Sequence, residues 1–498
     1  MAAIITEKFR QHNATQFFES FTESSASTYY LFVGKSTAYT SSTTGGSDSS
    51  PPTPSDSPSD TEFYAWDSML AAKNVTSSDV TFSIPRRNWV NGTTYDMYDD
   101  NISSSNTATS GASNLYDSTF YFMTSDFRVY KVLDNNGGTA YSGAEPTSTS
   151  TSPFALGGYV LKYMYQVTTS EAAKYITSDF IPVSDDSTIS AAAVDGKIES
   201  LKITAGAGYT NGTYYAAVYG DGTSAGTSSG AIVRITVSGG TIQSFGLTAG
   251  SDTTIHAGGA GYTFGTVNLA SGFTFSDTGL SAASAIGGTG GVIEVVISPK
   301  NGHGNSSIVE LGGHFVMTAT TLTQAENDDI TTANDFRQVG LVVDPTNFGT
   351  STVASASTRR QTFVVKASSV SGTFDTDEKI TQATTGAVGK VVEFDSTNSL
   401  LYFQQERFGD FGTNSTTGDH SVFEGTNVIT GATSSATFTP SSDSETITLA
   451  NNNTITTVSG YVNPELQADS GNIVYLENRK PIQRDSDQTE DIKLIIEF

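Results

Sequence analysis

The chain has no cysteine among its 498 residues. Disulfide bridges and thiolate metal ligands are therefore excluded. Lysine and arginine are also scarce, 25 against 51 aspartates and glutamates, and the formal net charge is -26. Nucleic acid and anionic membrane surfaces attract clusters of Lys and Arg, so this charge argues against both as partners.

Long apolar runs are absent as well. No segment approaches the roughly 20 apolar residues that a membrane-spanning helix needs. The first seven residues already contain an acid and carry no long apolar stretch, which is not the pattern of a secretory signal. We therefore expect a soluble protein that is made in a cytoplasm.

Glycine, tyrosine and phenylalanine are abundant, with 48, 22 and 28 copies. Such a composition, together with many Ser, Thr and Asn residues, is typical of an all-β chain with many turns. An aromatic content of 10% is too high for a chain that is disordered throughout. The length corresponds to roughly three domains.

Apolar periodicity places the main elements. Helical spacing of phenylalanines predicts a short helix over residues 7–23, and a second is predicted within 63–72. Residues 40–59, with four prolines, predict an exposed loop. Alternating or β-branched runs predict strands at 28–33, 82–89, 115–133 (a hairpin), 159–167, 473–476 and 492–498. The last of these ends the chain, and so apolar a terminus needs pairing within a sheet of the main domain.

Two internal repeats interrupt this pattern. Ile198 and Ile242 begin similar runs that end in glycine turns, 44 residues apart. Phe374 and Phe423 begin a second pair of similar runs, 49 residues apart. Such repeats indicate small β-modules. We therefore predict a mainly β fold with some α, in which a discontinuous main domain (1–190, 292–360 and 461–498) encloses two inserted β-repeat domains (191–291 and 361–460).

No constellation of catalytic or metal-binding residues stands out. Only His303 and His314, of the five histidines, are close in sequence, and a zinc site needs three or four ligands. Gly34-Lys35-Ser36-Thr37 has Tyr29 where a phosphate-binding loop needs its first glycine. Paired carboxylates for glycoside hydrolysis stay open, because 51 acids are available and no pair is distinguished. We expect neither cofactor nor metal, and a protein that is not an enzyme.

Three ordered segments carry a resemblance to a known family. They are Ile84-Pro85-Arg86-Arg87-Asn88-Trp89, then Asp335-Phe336-Arg337-Gln338-Val339, and the C-terminal run of Tyr475-x-Glu477-Asn478-Arg479-x-Pro481-Ile482, Asp487-Gln488-Thr489-Glu490-x-Ile492 and Phe498. Together these segments resemble a baseplate wedge subunit of the T-even-type contractile-tailed bacteriophages. The resemblance implies a virion structural protein of the tail baseplate, a dimer that binds other wedge proteins. The two repeat blocks depart from the family pattern and imply an enlarged form.

Four residues are candidates for partner binding: Arg86, Arg87, Trp89 and Arg479. Arginine forms bidentate ion pairs with carboxylates and stacks on aromatic rings, and both Arg and Trp are frequent at the energetic hot spots of interfaces. An internal role is the alternative, in which an arginine pairs with an acid of its own chain, such as Glu477 or Asp487, and Trp89 packs in the core. The repeats and aromatics also leave a second function open, that of a tail-associated carbohydrate-binding or depolymerising protein.

Overall fold

A computed structural model of the chain describes residues 5–23, 25–40, 45–55, 60–222, 230–269, 286–326, 328–405, 420–450 and 452–498. Residues 41–44 and 56–59 of the predicted loop lie outside this part. So do residues 223–229, 270–285 and 406–419 of the predicted repeat domains.

Five α-helices are described: α1 (Glu7–Glu19), α2 (Asp60–Ser68), α3 (Thr169–Tyr175), α4 (Ser187–Ala192) and α5 (Ser307–Glu310). Strands dominate the rest. Up to residue 183 they are β1 (Tyr29–Gly34), β2 (Met69–Val75), β3 (Val80–Pro85), β4 (Tyr121–Met123), β5 (Arg128–Asp134), β6 (Phe154–Leu156), β7 (Tyr159–Gln166) and β8 (Phe180–Val183). Between 200 and 343 they are β9 (Ser200–Thr204), β10 (Ala207–Tyr209), β11 (Gly212–Ala217), β12 (Tyr219–Gly220), β13 (Ile232–Ser238), β14 (Thr241–Ile242), β15 (Thr254–Ala257), β16 (Gly265–Thr266), β17 (Gly287–Thr289), β18 (Val292–Val296), β19 (Phe315–Thr323) and β20 (Phe336–Val343). The remainder are β21 (Thr358–Arg360), β22 (Phe363–Ser371), β23 (Lys379–Gln382), β24 (Ala387–Asp395), β25 (Leu400–Gln404), β26 (Ile429–Gly431), β27 (Thr437–Pro440), β28 (Thr446–Thr448), β29 (Thr454–Thr456), β30 (Tyr461–Val462), β31 (Asn472–Ile482) and β32 (Thr489–Glu497).

The chain forms two compact units, each assembled from distant parts of the sequence. The first comprises residues up to Phe17, Thr81–Met317 and Ile495–Phe498; the second comprises Phe18–Val80 and Thr318–Leu494. The predicted fold class, mainly β with some α and a discontinuous β-rich main domain, is confirmed. The domain boundaries given above stay a prediction.

In the first unit, an aromatic core covers the antiparallel sheet β4-β5-β7-β6. The hairpin expected over 115–133 is present as β4 and β5. Six of the buried residues of the core that covers this sheet are aromatic: Tyr95, Phe122, Tyr130, Tyr141, Tyr159 and Tyr163. Buried tyrosines need partners for their hydroxyls, and the Tyr159 hydroxyl donates to the carbonyl of Thr139 at 2.7 Å.

The first repeat block packs around a second core of the same unit. Ile198 and Ile242, the repeat positions, are both buried there, as are Tyr209 and Tyr262 of the two Gly-Tyr-Thr turns. Tyr209 lies against Gly288, which has φ +76° and a Cβ position only 2.4 Å from the ring. Glycine is required at that position, since a side chain would meet both strain and the ring.

In the second unit, the antiparallel sheet β21-β2-β1-β20-β31 includes the 11-residue strand β31. Its core residues include Tyr30, Phe32, Trp66, Met69, Val342 and Leu466. Helix α2 ends at Ser68, before residue 72 where we expected its end, because Met69 begins a strand paired with β1.

The second repeat block closes into a barrel within the second unit. Strands follow the order β25-β24-β23-β26-β27-β22, and β22 also pairs with β25. The repeated hairpins, β23-β24 and β26-β27, meet through antiparallel pairing of β23 with β26. Phe374 and Phe423, at equivalent repeat positions, share a core whose buried members all lie between Val365 and Phe438. The barrel therefore has a core of its own.

Replacing the barrel, residues 363–462, with a short Gly/Ser linker should leave the rest of the chain folded. The two ends already meet, because the Glu465 amide donates to the Arg360 carbonyl at 2.9 Å and the Arg360 Nη2 donates to the Asn463 carbonyl at 3.0 Å. We expect a cooperative thermal unfolding transition for the remainder, measured by circular dichroism.

Deletion of the first repeat block is the comparison for deletion of the barrel. The core of that block also includes Leu133 and Val160, which lie outside the block. Replacing residues 200–296 should therefore lower the unfolding midpoint more than removal of the barrel does. Unfolding of the whole chain on barrel removal would contradict the independence of this module.

Candidate partner-binding surface

Arg86 follows directly on strand β3 and is partly exposed. Its Nε donates to Asn88 Oδ1 at 3.0 Å, and its Nη1 donates to the Thr177 carbonyl at 2.7 Å. Both partners are neutral. These two bonds fix the orientation of the guanidinium.

Arg87 packs more deeply against the sheet. Its guanidinium carbon lies 4.3 Å from the centre of the Tyr121 ring, and its Nη2 donates to the Tyr116 carbonyl at 2.7 Å. Burial raises the pKa of Tyr121 well above its usual range, against the effect of the Arg87 charge. Stacking on an aromatic face stabilises an arginine by roughly 0.5–2 kcal/mol. These contacts give Arg87 a structural role.

Trp89 lies at the rim of the aromatic core. Its ring meets Tyr141 edge-on at 5.9 Å, and its amide donates to the Met123 carbonyl at 2.8 Å. The indole Nε1 is buried and has no hydrogen-bond partner within the described part of the chain. Trp89 is thus a partly buried residue that packs against the core, and its role in partner binding stays a prediction.

Arg479 is the most exposed of the four candidates and belongs to strand β31 of the second unit. Its side chain is 45% exposed, and its Nη1 lies 3.7 Å from Glu477 Oε2. Glu477 also accepts a hydrogen bond from the Tyr475 hydroxyl at 2.9 Å. Burial, together with the Glu477 carboxylate, raises the pKa of Tyr475 to about 12. The structure therefore keeps Arg479 available at the surface beside one acid of its own strand.

The Asp335–Val339 segment, part of the resemblance, has an internal role. Arg337 forms a bidentate ion pair with Asp48, with Nε–Oδ1 at 3.0 Å and Nη2–Oδ2 at 3.1 Å. It also donates to the Ser36 carbonyl. This arginine thereby holds the segment after β1 against the sheet.

The first unit also contains a buried group of charges that the sequence analysis did not predict. Lys131 and Glu310 form an ion pair whose side chains are 0% and 2% exposed. Lys162 lies opposite Lys131 on the paired strand and is also buried. Glu310 Oε1 accepts from the Gly304 amide at 2.7 Å and the Ser306 amide at 3.3 Å. The sequence feature that indicates such a group is a lysine in the middle of each of two apolar strands, since a buried charge is costly unless it is paired.

His303 belongs to the same buried region. Its ring stands edge-on to Tyr98 at 5.0 Å, and neither ring nitrogen has a hydrogen-bond partner within the described part of the chain. Burial lowers the pKa of His303 well below its usual range, and the neighbouring Lys131 and Lys162 charges add to this. The histidine is therefore neutral in the folded protein at neutral pH.

Acidification should destabilise the fold through His303. Its pKa in the unfolded chain is about 6.5 and is depressed on folding. The contribution of His303 to the free energy of unfolding is therefore complete above about pH 6.5, and it is lost progressively as the pH falls below that value. Between pH 8 and pH 5 the decrease attributable to one such histidine is about 2 kcal/mol. Chemical denaturation of His303→Phe should lack this component, whereas His12→Gln, at an exposed histidine, should retain it. Equal pH dependence in all three proteins would show that His303 does not titrate in this way.

A pocket of about 340 Å³ in the first unit is lined by Asp99, Asp134, Asn135, Lys202 and Phe245 among others. Lys202 Nζ bonds Asp99 Oδ2 at 2.7 Å, so these two charges neutralise each other. Burial raises the pKa of Asp134 to about 6. The described residues contain no group of His, Asp and Glu side chains placed to hold a metal ion. Within the same part of the chain, no helix is long and apolar enough to span a membrane.

Comparison with known proteins gives one family. The family model described as Bacteriophage T4, Gp8, a baseplate wedge protein family, matches residues 3–144 and 444–498. The match therefore involves both ends of the chain, less than half of its residues in total. The barrel strands β22 to β27 and the whole first repeat block lie outside it. Arg86, Arg87, Trp89 and Arg479 lie inside the match, and residues 335–339 lie outside it. No curated protein matches the chain.

Proposed function

We propose that this protein is a structural subunit of the baseplate wedge of a contractile phage tail and that it works by protein–protein contacts. One observation carries the proposal: both ends of the chain match a baseplate wedge family, as two segments of one interrupted domain. The mature protein would reside in the virion after synthesis in the host cytoplasm. Its partners would be other wedge proteins and a second copy of itself.

The arrangement of the matched segments supports this assignment. Residues of both matched segments meet in the first unit, where Phe498 lies 5.2 Å from Phe17 of helix α1. Arg10 Nη2 donates to Glu497 Oε1 at 2.8 Å beside them. A long insertion between two segments that pack together leaves the matched domain intact. The two repeat modules would then add surface to a domain that is built from the two matched segments.

A reconstitution experiment tests the assignment. The protein would be co-expressed with the other baseplate proteins encoded in the same phage genome, and the complexes purified and imaged by electron microscopy. Co-purification in a defined wedge complex is the expected result. Failure to join any baseplate complex, in a protein that is folded, would contradict the proposal.

Arg479 offers the cleanest test of a partner contact. Arg479→Ala removes only an exposed ion pair, worth about 0–1 kcal/mol, so the variant should fold normally. Loss of wedge assembly would then report a contact and not a folding defect. The control is Lys197→Ala, which removes another partly exposed ion pair, that with Glu199.

The Arg86, Arg87 and Trp89 cluster needs two measurements, because its residues have internal contacts. In the triple Ala variant, partner binding predicts a folded protein that fails to enter wedge complexes. A lowered unfolding midpoint, with assembly restored when the protein is kept cold, would assign the cluster to internal packing.

The proposal includes no catalytic activity. Purified protein should release no oligosaccharide from host envelope material. Release of sugar fragments above a heat-inactivated control would overturn this part and favour a depolymerising function.

A further inference from the structure

Strand β31 is the outermost strand of the five-stranded sheet. It pairs with β20 on one side, and no other strand of the described chain pairs with it. No backbone-to-backbone hydrogen bond joins residues 472–482 to a described segment other than β20. The described contacts from residues 39–52 are a bond between the Tyr39 hydroxyl and the Arg479 backbone and one from Asn478 Nδ2 to the Pro52 carbonyl at 2.9 Å. Backbone amides and carbonyls that face an open edge are a template for a strand from another molecule.

None of the 11 residues of β31 is buried, and four of them are exposed. Val474 is 48% exposed, and Asn472, Arg479 and Lys480 are exposed as well. The whole strand lies within the matched C-terminal segment.

The charge pattern of β31 is complementary to itself. Glu477 and Arg479 stand two residues apart, on the same face of the strand, with Asn478 between them. In an antiparallel pair related by a two-fold axis at Asn478, Glu477 of each copy lies opposite Arg479 of the other. A two-fold axis at Glu477 would instead place two carboxylates opposite each other, which is destabilising.

We infer that the open edge of β31 pairs antiparallel with β31 of a second copy of this chain, about a two-fold axis at Asn478. The inference rests on the dimer of the proposed function and assigns its surface and its register. The interface is isologous, so each copy contributes the same residues.

The end of the strand limits this pairing. The register with β20 shifts between Asn478 and Ile482, and Pro481 within this irregularity has no N–H to donate. Irregularity, lysine and proline at an edge prevent unlimited strand addition. A short ladder closed by symmetry is therefore favoured over an open fibre.

The absence of cysteine allows a direct test by cross-linking. A single Asn478→Cys substitution places two thiols opposite each other at the axis, where Cβ atoms of facing residues lie about 4.5–5.5 Å apart, close to disulfide distance. The matched control is Asn472→Cys on the same strand, whose symmetry mate would be about 40 Å away at about 3.3 Å per residue.

Mild oxidation of dilute protein should give a covalent dimer from the Asn478→Cys variant and little from the Asn472→Cys variant. Asn478 also bonds Gln338 and the Pro52 carbonyl, so circular dichroism must first show that both variants have the same fold. Equal, slow cross-linking of both variants would overturn the assigned register.

Charge reversal tests the same register without cysteine. Arg479→Glu and Glu477→Arg should each weaken the homodimer by about tenfold or more, because like charges then meet. An equimolar mixture of the two variants should regain dimers, since each Glu again faces an Arg, and the E477R/R479E double variant should regain its homodimer. Sedimentation velocity measures all four samples.

These outcomes separate the surface from the function. A wild-type dimer whose Asn478→Cys variant does not cross-link, or whose charge reversals have no effect, would place the interface elsewhere. A strict monomer that still enters baseplate complexes would overturn the dimer and leave the wedge assignment standing. No recovery in the mixed variants would overturn the two-fold pairing of Glu477 with Arg479.

Discussion

Removal of residues 492–498 is expected to abolish soluble expression of the protein. Strand β32 lies next to β19 in its sheet and ends the chain within the fold. Ile492 and Leu494 are buried, and together their burial contributes about 3–6 kcal/mol. Phe498 adds its ring contact with Phe17, and its amide donates to the His314 carbonyl at 3.2 Å.

The loss is large relative to typical domain stability of about 5–15 kcal/mol. It also leaves one side of β19 without its strand partner, and a newly exposed edge promotes aggregation. Soluble yield and size-exclusion chromatography of the truncated chain measure the effect. Glu497→Ala, which removes an exposed carboxylate that pairs with Arg10 and lies 4.0 Å from His314 Nε2, is the control and should be soluble. A soluble truncated protein with an unchanged unfolding midpoint would show that the strand is dispensable.

Breaking the buried Lys131–Glu310 pair is expected to destabilise the protein by about 3–5 kcal/mol. Glu310→Ala leaves the Lys131 ammonium in a site that water does not reach, and the Gly304 and Ser306 amides lose their acceptor. Burial already lowers the pKa of Lys131, against the stabilising effect of Glu310. Without the carboxylate, the lysine must be neutral or draw in water. Denaturant unfolding of the variant should show the loss as a lower midpoint.

A double substitution distinguishes the cost of leaving one buried charge unpaired from the cost of losing both charges. Lys131→Met with Glu310→Leu replaces both ions with apolar side chains, and such replacements of buried ion pairs are often neutral or stabilising. We therefore expect the double variant to be more stable than either single variant. Lys197→Ala at the more exposed pair with Glu199 should cost at most about 1 kcal/mol. Additive losses in the double variant would show that the two residues act independently.

Several local features could be predicted because they depend only on neighbouring residues. Alternation of apolar side chains placed the strand β7 close to its observed bounds. It also predicted the hairpin of β4 and β5, but that hairpin begins only at Tyr121, and residues 115–117 form a 3-10 helix. The repeat spacings identified Ile198, Ile242, Phe374 and Phe423, and all four are core positions. The apolar C-terminus required a partner strand, which β19 provides. Helix α2 ends earlier than predicted, because Met69 pairs with β1 and this pairing outweighs its helical propensity.

The candidate surface was only partly predictable. The sequence identified Arg86, Arg87, Trp89 and Arg479 as residue types that suit interfaces. It could not separate the stacked Arg87 from the exposed Arg479, because Tyr121 and Tyr116 approach Arg87 only after β3 and β4 have been placed. Nor could it show which strand would be at the open edge of the sheet.

By itself, the sequence determined the class of the fold, the presence of two internal repeats and the absence of thiol chemistry, since composition and short-range periodicity fix these properties. Only the tertiary structure decided which distant residues meet. Lys131 and Glu310 are 179 residues apart, and closure of the barrel through β22 joins strands whose sequences do not specify their neighbours. Long-range pairing depends on the combined packing of many side chains and on the entropy of closing long loops, and no local pattern records either.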